Sequence, residues 1–96
     1  ELIHEACLNA YGKGLFPKNV VPVKKAGDVY VAELFHGQTA AFKDMALSLL
    51  PYLMTLSLKQ LNEQREVMIL AATSGDTGKA ALAGFAKVPG TKIIKM

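Results

Sequence analysis

Tryptophan is absent from this sequence, aromatic residues make up only 7% of it, and there is a single cysteine, Cys7. With 51% of residues hydrophobic and so few rings, any core must be built from aliphatic side chains and alanine. That composition belongs to a folded α/β or all-α chain and excludes a disordered one. A lone thiol cannot close an internal disulfide; it fits a reducing compartment, and a cytoplasmic setting is the expectation. A strong charge of one sign is also lacking: 11 basic and 8 acidic residues leave a net +3. Lys24 and Lys25 are the only adjacent pair of basic residues, and no basic stripe interleaved with aromatics points to nucleic acid. The most apolar stretch, Met45 to Leu58, is shorter than the roughly 20 residues of a membrane span and carries Ser48, Pro51, Thr55 and Ser57. The N-terminus is acidic and lacks the basic-then-apolar pattern of a secretory leader. No repeat, low-complexity tract, linker or metal-ligand set is present.

What the chain does have is alternating element signals. Glu1 to Tyr11 reads as a short helix with Ile3, Cys7, Ala10 and Tyr11 on one face, stopped by Gly12 and Gly14. Val20 to Lys24 and Val29 to Phe35 read as strands around the turn residues Lys25 to Asp28. Lys43 to Leu61 is the main helix. Its polar positions Asp44, Ser48, Thr55, Lys59 and Asn62 form one narrow stripe, so most of its surface is expected to be covered by neighbours. Pro51 lies inside it and withholds the hydrogen bond that Leu47 would otherwise accept. Val67 to Ala72 has the unbroken apolar run of a strand buried on both faces. A turn over Thr73 to Asp76, an alanine-rich helix from Thr77 to Lys87, the breaker Pro89-Gly90 and a strand pattern from Thr91 to Met96 complete a βαβ unit. The expected fold class is α/β, a single segment over residues 1–96. Glu1 in place of an initiator methionine, and a strand pattern still running at Met96, lead us to expect an internal piece of a longer protein.

Two segments can carry chemistry. In Glu33 to Asp44, E-L-F-H-G-Q-T-A-A-F-K-D, a β-patterned run gives way to an apolar helix, and Lys43 sits at the junction. One reading is a surface lysine on a first helical turn, with Asp44 beside it favouring the helix dipole. The other is a nucleophilic amine: apolar surroundings disfavour the charged form of a lysine, and a free amine forms a Schiff base with an aldehyde. In Ala71 to Ala80, A-A-T-S-G-D-T-G-K-A, a buried strand enters a glycine-spaced turn and then a helix. Unpaired amides and the dipole at that helix start suit a phosphate or carboxylate. The plainer reading is that Asp76 or Thr77 caps the helix and the glycines only shape the turn. A nucleotide P-loop is excluded, because Thr73 and Ala80 stand where it needs a glycine and a hydroxyl residue.

Taken together, F-H-G-Q-T-A-A-F-K-D at Phe35 to Asp44 and T-S-G-D-T-G-K-A at Thr73 to Ala80 resemble the threonine synthases, pyridoxal-phosphate enzymes of the tryptophan-synthase-β family (fold type II). That family's two stretches take the forms F-H-G-P-T-x-x-F-K-D and T-S-G-D-T-G-K-A, in the same order. Gln38 departs from the family's proline, which bears on the stiffness of the loop before the lysine. The serine/threonine dehydratases, with a related S-G-N turn, are the next resemblance; a non-catalytic anion-binding module on the same scaffold is the alternative from another class.

The resemblance implies a three-layer fragment of the family's N-terminal region, with a small, mostly parallel sheet and flanking helices. It implies that Lys43 holds pyridoxal 5'-phosphate and moves protons, and that Asp76 lies beside the cofactor. Ser74, Gly75 and Thr77 would grip the carboxylate of the substrate, O-phosphohomoserine, which is converted with water to threonine and phosphate. Phe42 would pack beside the cofactor or in the core, and His36 would be a loop hydrogen-bonder. The family's cofactor-phosphate loop and the partner of the pyridine nitrogen lie outside this sequence. The piece alone is therefore expected to be inactive and to need the remainder of the parent enzyme, with no role for nucleic acid or membrane.

Overall fold

Helix α1 spans Leu2–Tyr11 in a computed structural model that describes residues 1–96. Its packed face keeps Ala10 and the half-buried Cys7 and Tyr11 of the expected one, gains Ala6 and loses Ile3. Ala6 and Ala10 are buried, whereas Ile3 is 65% exposed. Small residues at positions four apart let α1 lie close against the long helix, and Tyr11 supplies the polar tie by donating its hydroxyl to the Met45 carbonyl at 2.6 Å. Gly12 ends the helix for a steric reason: its amide reaches the Leu8 carbonyl at 2.8 Å, and a Cβ there would meet that oxygen at 2.7 Å.

The hairpin pairs β1 (Val23–Ala26) antiparallel with β2 (Val29–Ala32), Val23 opposite Ala32 and Ala26 opposite Val29. Gly27, at φ +61°, takes the first turn position, where a two-residue II′ turn requires glycine. β1 starts later than the Val20 the sequence suggests and runs on through Lys25 and Ala26, which the sequence assigns to the turn; β2 stops at Ala32, short of Phe35. Pro22 accepts a bond from the Glu33 amide but has no N–H to return, and Val20 is turned away at φ +55°. Leu34 and Phe35 therefore belong to the loop. Every residue of the hairpin strands is exposed.

Helix α2 (Asp44–Gln60) packs on α1 and on α3 (Gly75–Phe85), and α3 also packs on β4 (Thr91–Lys95). Strand β3 (Val67–Ala71) pairs parallel with β4, Val67 against Thr91 and Ala71 against Lys95, with α3 as the crossover. The core is small and alanine-rich: Ala6, Ala10, Phe16, Ala41, Ala80, Ala81, Phe85 and Val88. Two expectations are corrected here. β3 is not buried on both faces, since Met68 and Leu70 are exposed while Val67 and Ile69 are covered. Within α2 only Asp44 and Pro51 are fully buried, because its covering elements are two helices and not a ring of neighbours. In each case helices lie on one side and nothing in the chain lies on the other.

The consequence is an open shape. The radius of gyration is 15.0 Å, against about 12.5 Å for a compact chain of this length. The accessible surface is 6622 Å², against about 5,400 Å² for a closed monomer of this mass. Met68, Leu70, Ile94 and Met96 form an exposed apolar row along the uncovered face and end of the parallel pair.

Candidate active site

Lys43 occupies the N-cap of α2 and is half-exposed, its Nζ 4.3 Å from the centroid of the Phe42 ring. Phe42 itself is 61% exposed, so the core-packing reading of that ring does not hold. The residues that decide where Lys43 points are its neighbours. Asp44 is not the solvent-facing dipole partner suggested by its place on the first turn; it is 2% exposed. One of its carboxylate oxygens accepts the Thr39 amide at 2.7 Å and the other accepts the Thr39 hydroxyl at 2.7 Å. Its charge also lies at the positive end of α2. Gly37 backs this arrangement, because any Cβ at that position would overlap the Asp44 side chain. The Ala40 amide closes the turn on the Gly37 carbonyl at 3.2 Å, with Ala40 held at φ +58°. A non-glycine residue in that region costs about 1–2 kcal/mol, which the surrounding bonds must offset. The loop from Gly37 to Lys43 is thus knotted to the first residue of the helix that follows.

Upstream, His36 pairs its Nε2 with Glu33 at 2.7 Å, as a loop hydrogen-bonder should, and Lys24 reaches the same carboxylate at 2.9 Å. The hydrogen bonds from His36 and Lys24 hold the Glu33 carboxyl below the usual carboxylate range. Glu33 therefore clips the hairpin to the loop that leads to Lys43.

The second segment is built differently. Ser74, not Asp76 or Thr77, is the N-cap of α3; its backbone is extended at φ −95°, ψ 166°, and its hydroxyl makes no capping bond. Gly75 turns the chain at φ +66° with nothing within 4 Å of where a side chain would begin. Gly78 is buried under the Lys95 side chain, whose Cε would lie 2.8 Å from a Cβ there. Ser74, Gly75 and Asp76 are exposed and Thr77 is half-buried. The first amides of a helix have no partner within it, and no loop or cap bond of this chain uses those of Gly75, Asp76 or Thr77. The turn presents a free hydroxyl and free N–H groups, the donor set an anion needs.

The two segments are joined through one close crossing. Pro51 leaves the Leu47 carbonyl without its helical partner, and α3 brings Gly84 against that oxygen so closely that a Cβ would overlap it. Lys43 lies about 6 Å from Leu47 along α2, and Gly75 about 14 Å from Gly84 along α3. The main surface clefts are lined by other residues and take in neither Lys43 nor Ser74 to Thr77. Sequence reasoning had missed the Thr39–Asp44 knot; the spacing of Gly37, Thr39 and Asp44 around the lysine was the available signal.

No protein-family model matches the chain. Individual proteins do. Threonine synthase from Pseudomonas aeruginosa is 44% identical over 85 residues, which is 86% of this chain and 18% of that protein. Human threonine synthase-like 1 is 40% identical over 80 residues, 82% of this chain and 10% of that protein. Among solved structures, a PLP-bound threonine synthase from Brucella melitensis superposes with a TM-score of 0.85 at 37% identity over 98% of this chain. The chain belongs to the threonine synthase family. Yeast threonine synthase gives the same answer at a TM-score of 0.81 and 30% identity over 95% of the chain. This member spans 20% of each of those two structures. Its α/β architecture, with a small parallel sheet and packed helices, is the threonine synthase architecture over that stretch. No helix is long and apolar enough to cross a membrane.

Proposed function

We propose that this chain carries the cofactor lysine and the substrate-carboxylate turn of a cytoplasmic, PLP-dependent lyase of the threonine synthase type. The reaction is O-phospho-L-homoserine plus water giving L-threonine plus phosphate. One observation carries the reading. Two helix starts, one presenting an amine from a knotted loop and the other presenting unused anion donors, are linked by a single close helix crossing in a fold shared with a PLP-bound threonine synthase.

The donor set fits the group. Lys43 has the only amine on the rigid loop, and it would hold pyridoxal phosphate through its ε-nitrogen, with Asp76 beside the ring. Ser74, Gly75 and Thr77 would take the substrate carboxylate on a hydroxyl and backbone amides, aided by the α3 dipole. When bound, the cofactor supplies an electron sink for charge developing on the substrate carbons. The Lys43 amine, once free, accepts and returns a proton at the α and β carbons. The partners of the cofactor's phosphate and ring nitrogen come from the remainder of the parent enzyme. The 96-residue chain alone is therefore proposed to bind the cofactor weakly and to turn nothing over; tight, saturable binding by it would contradict this.

Borohydride reduction of the intact protein followed by peptide mapping tests the assignment. The expected result is a pyridoxyl label on Lys43, with phosphate released from O-phosphohomoserine by the unreduced protein. A label elsewhere, or none, rejects it. Ammonia and a keto acid formed from serine or threonine, with no phosphate released from O-phosphohomoserine, would mark a dehydratase; anion binding without any label would mark a binding module.

A further inference from the structure

We infer that Asp44 is a positioning residue for Lys43, acting through Thr39. This rests on the reading of Lys43 as the cofactor lysine and adds a residue to that site. An aspartate on a first helical turn ordinarily faces water, where it favours the helix dipole at no desolvation cost. Asp44 is buried and forms no ion pair, so it bears a desolvation cost that solvent exposure would have spared it. What it gains is geometry. Its two oxygens take the two donors of one residue, Thr39, and no other side chain shares them. That pairing joins Thr39 to Asp44 across the four residues between them, the last of which is Lys43.

The rest of the loop is arranged around this joint. Gly37 gives up a side chain so that Asp44 can lie against its backbone, and Ala40 is held in a left-handed conformation that alanine does not adopt unaided. Gln38 brings no ring to stiffen the loop, and the side-chain bonds that close it are those between Thr39 and Asp44. The first bond of α2 proper, from the Leu47 amide to the Lys43 carbonyl at 3.0 Å, then fixes the lysine's own backbone. Lys43 is left with freedom in its side chain only. A residue that controls where an amine begins controls how often it reaches a reacting atom, and misplacement by about 1 Å can cost 100-fold in rate.

The test uses the intact protein with three substitutions. Asp44→Ala removes both acceptors that the Thr39 donors use; Thr39→Val keeps only the backbone bond; Thr39→Ser keeps both donors. Two readouts are needed. The first is the selectivity with which a small aldehyde plus borohydride labels Lys43 over the exposed Lys59 in cofactor-free protein. The second is steady-state turnover.

Asp44→Ala should lower selectivity about tenfold and kcat about 100-fold, with KM nearly unchanged. Thr39→Val should fall between, and Thr39→Ser should restore both values. A lowered melting temperature in Asp44→Ala and Thr39→Val, with selectivity and kcat at the unsubstituted level, would make Asp44 a structural residue only and overturn the inference. If Asp44→Ala fails to fold, Thr39→Val decides by the same criteria. If the unsubstituted protein takes no cofactor label at Lys43, the underlying reading fails and takes this one with it; if it does and the variants match it, this inference alone falls.

Discussion

The lysine loop and the serine turn both lie at the start of a helix, yet they treat hydrogen bonds in opposite ways. Between Gly37 and Asp44 the side-chain acceptors are used internally, and the chain closes on itself through a buried carboxylate. Between Ser74 and Thr77 the donors are left free: the cap hydroxyl is unused, the amides have no partner and Gly75 faces open space. A group that must attack from a fixed place needs a rigid mount, and a site that must grip an anion needs unspent donors. On the function proposed above, the difference would separate presentation of an amine from binding of an anion within about 40 residues of one chain.

Substitutions in the intact protein should break that contrast in order of severity. Lys43→Ala should abolish the reductive label and lower kcat by about 1,000-fold or more, whereas Ser74→Ala should act mainly on KM, raising it about tenfold. Steady-state kinetics on both variants checks the division; a KM effect at Lys43 or a kcat effect at Ser74 would blur it. Next in size, Gly84→Val drives a side chain into the Leu47 carbonyl and should cost about 2–4 kcal/mol of stability by denaturant titration.

The glycines within the two segments should then respond for different reasons. Gly37→Ala meets the Asp44 side chain and should cost about 2 kcal/mol with loss of Lys43 labelling. Gly75→Ala meets nothing and carries only the strain of φ +66°, about 1 kcal/mol, leaving the label intact. Tyr11→Phe, which removes the bond to the Met45 carbonyl, should cost about 1 kcal/mol.

The smallest effect concerns pH. The Glu33 carboxyl is held low, first by His36 and then by Lys24. Its folded pKa lies below its unfolded one, so its clip on the hairpin is present above the ordinary carboxylate range and is lost as pH falls through the depressed value. Hydrogen exchange at the Val31 amide, corrected for intrinsic pH dependence, should quicken there relative to neutral pH. Glu33→Gln should remove that dependence.

Most of the secondary structure was legible from periodicity and breakers; the hairpin ends moved at Pro22 and Val20, and α3 runs over Gly75–Phe85 where Thr77 to Lys87 was expected, because the helix begins in the glycine turn itself. Both chemical segments could be found because each fixes several residues in a row. Faces were read less well. Ile3 lies outside the α1 contact, and β3 is covered on one side, because an apolar pattern states what a residue prefers and not whether a neighbour is there to cover it.

The sequence by itself determined the order of elements, the placing of Lys43 at one helix start and the serine-glycine turn ahead of another, since these follow from local conformational preference and spacing. Only the tertiary structure decided that Asp44 turns inward to Thr39, that Ser74 is the cap, and that Gly84 meets the carbonyl Pro51 sets free. Those outcomes depend on which groups approach one another through space, where close packing and the need to pair buried polar atoms choose among conformations that the local chain allows equally.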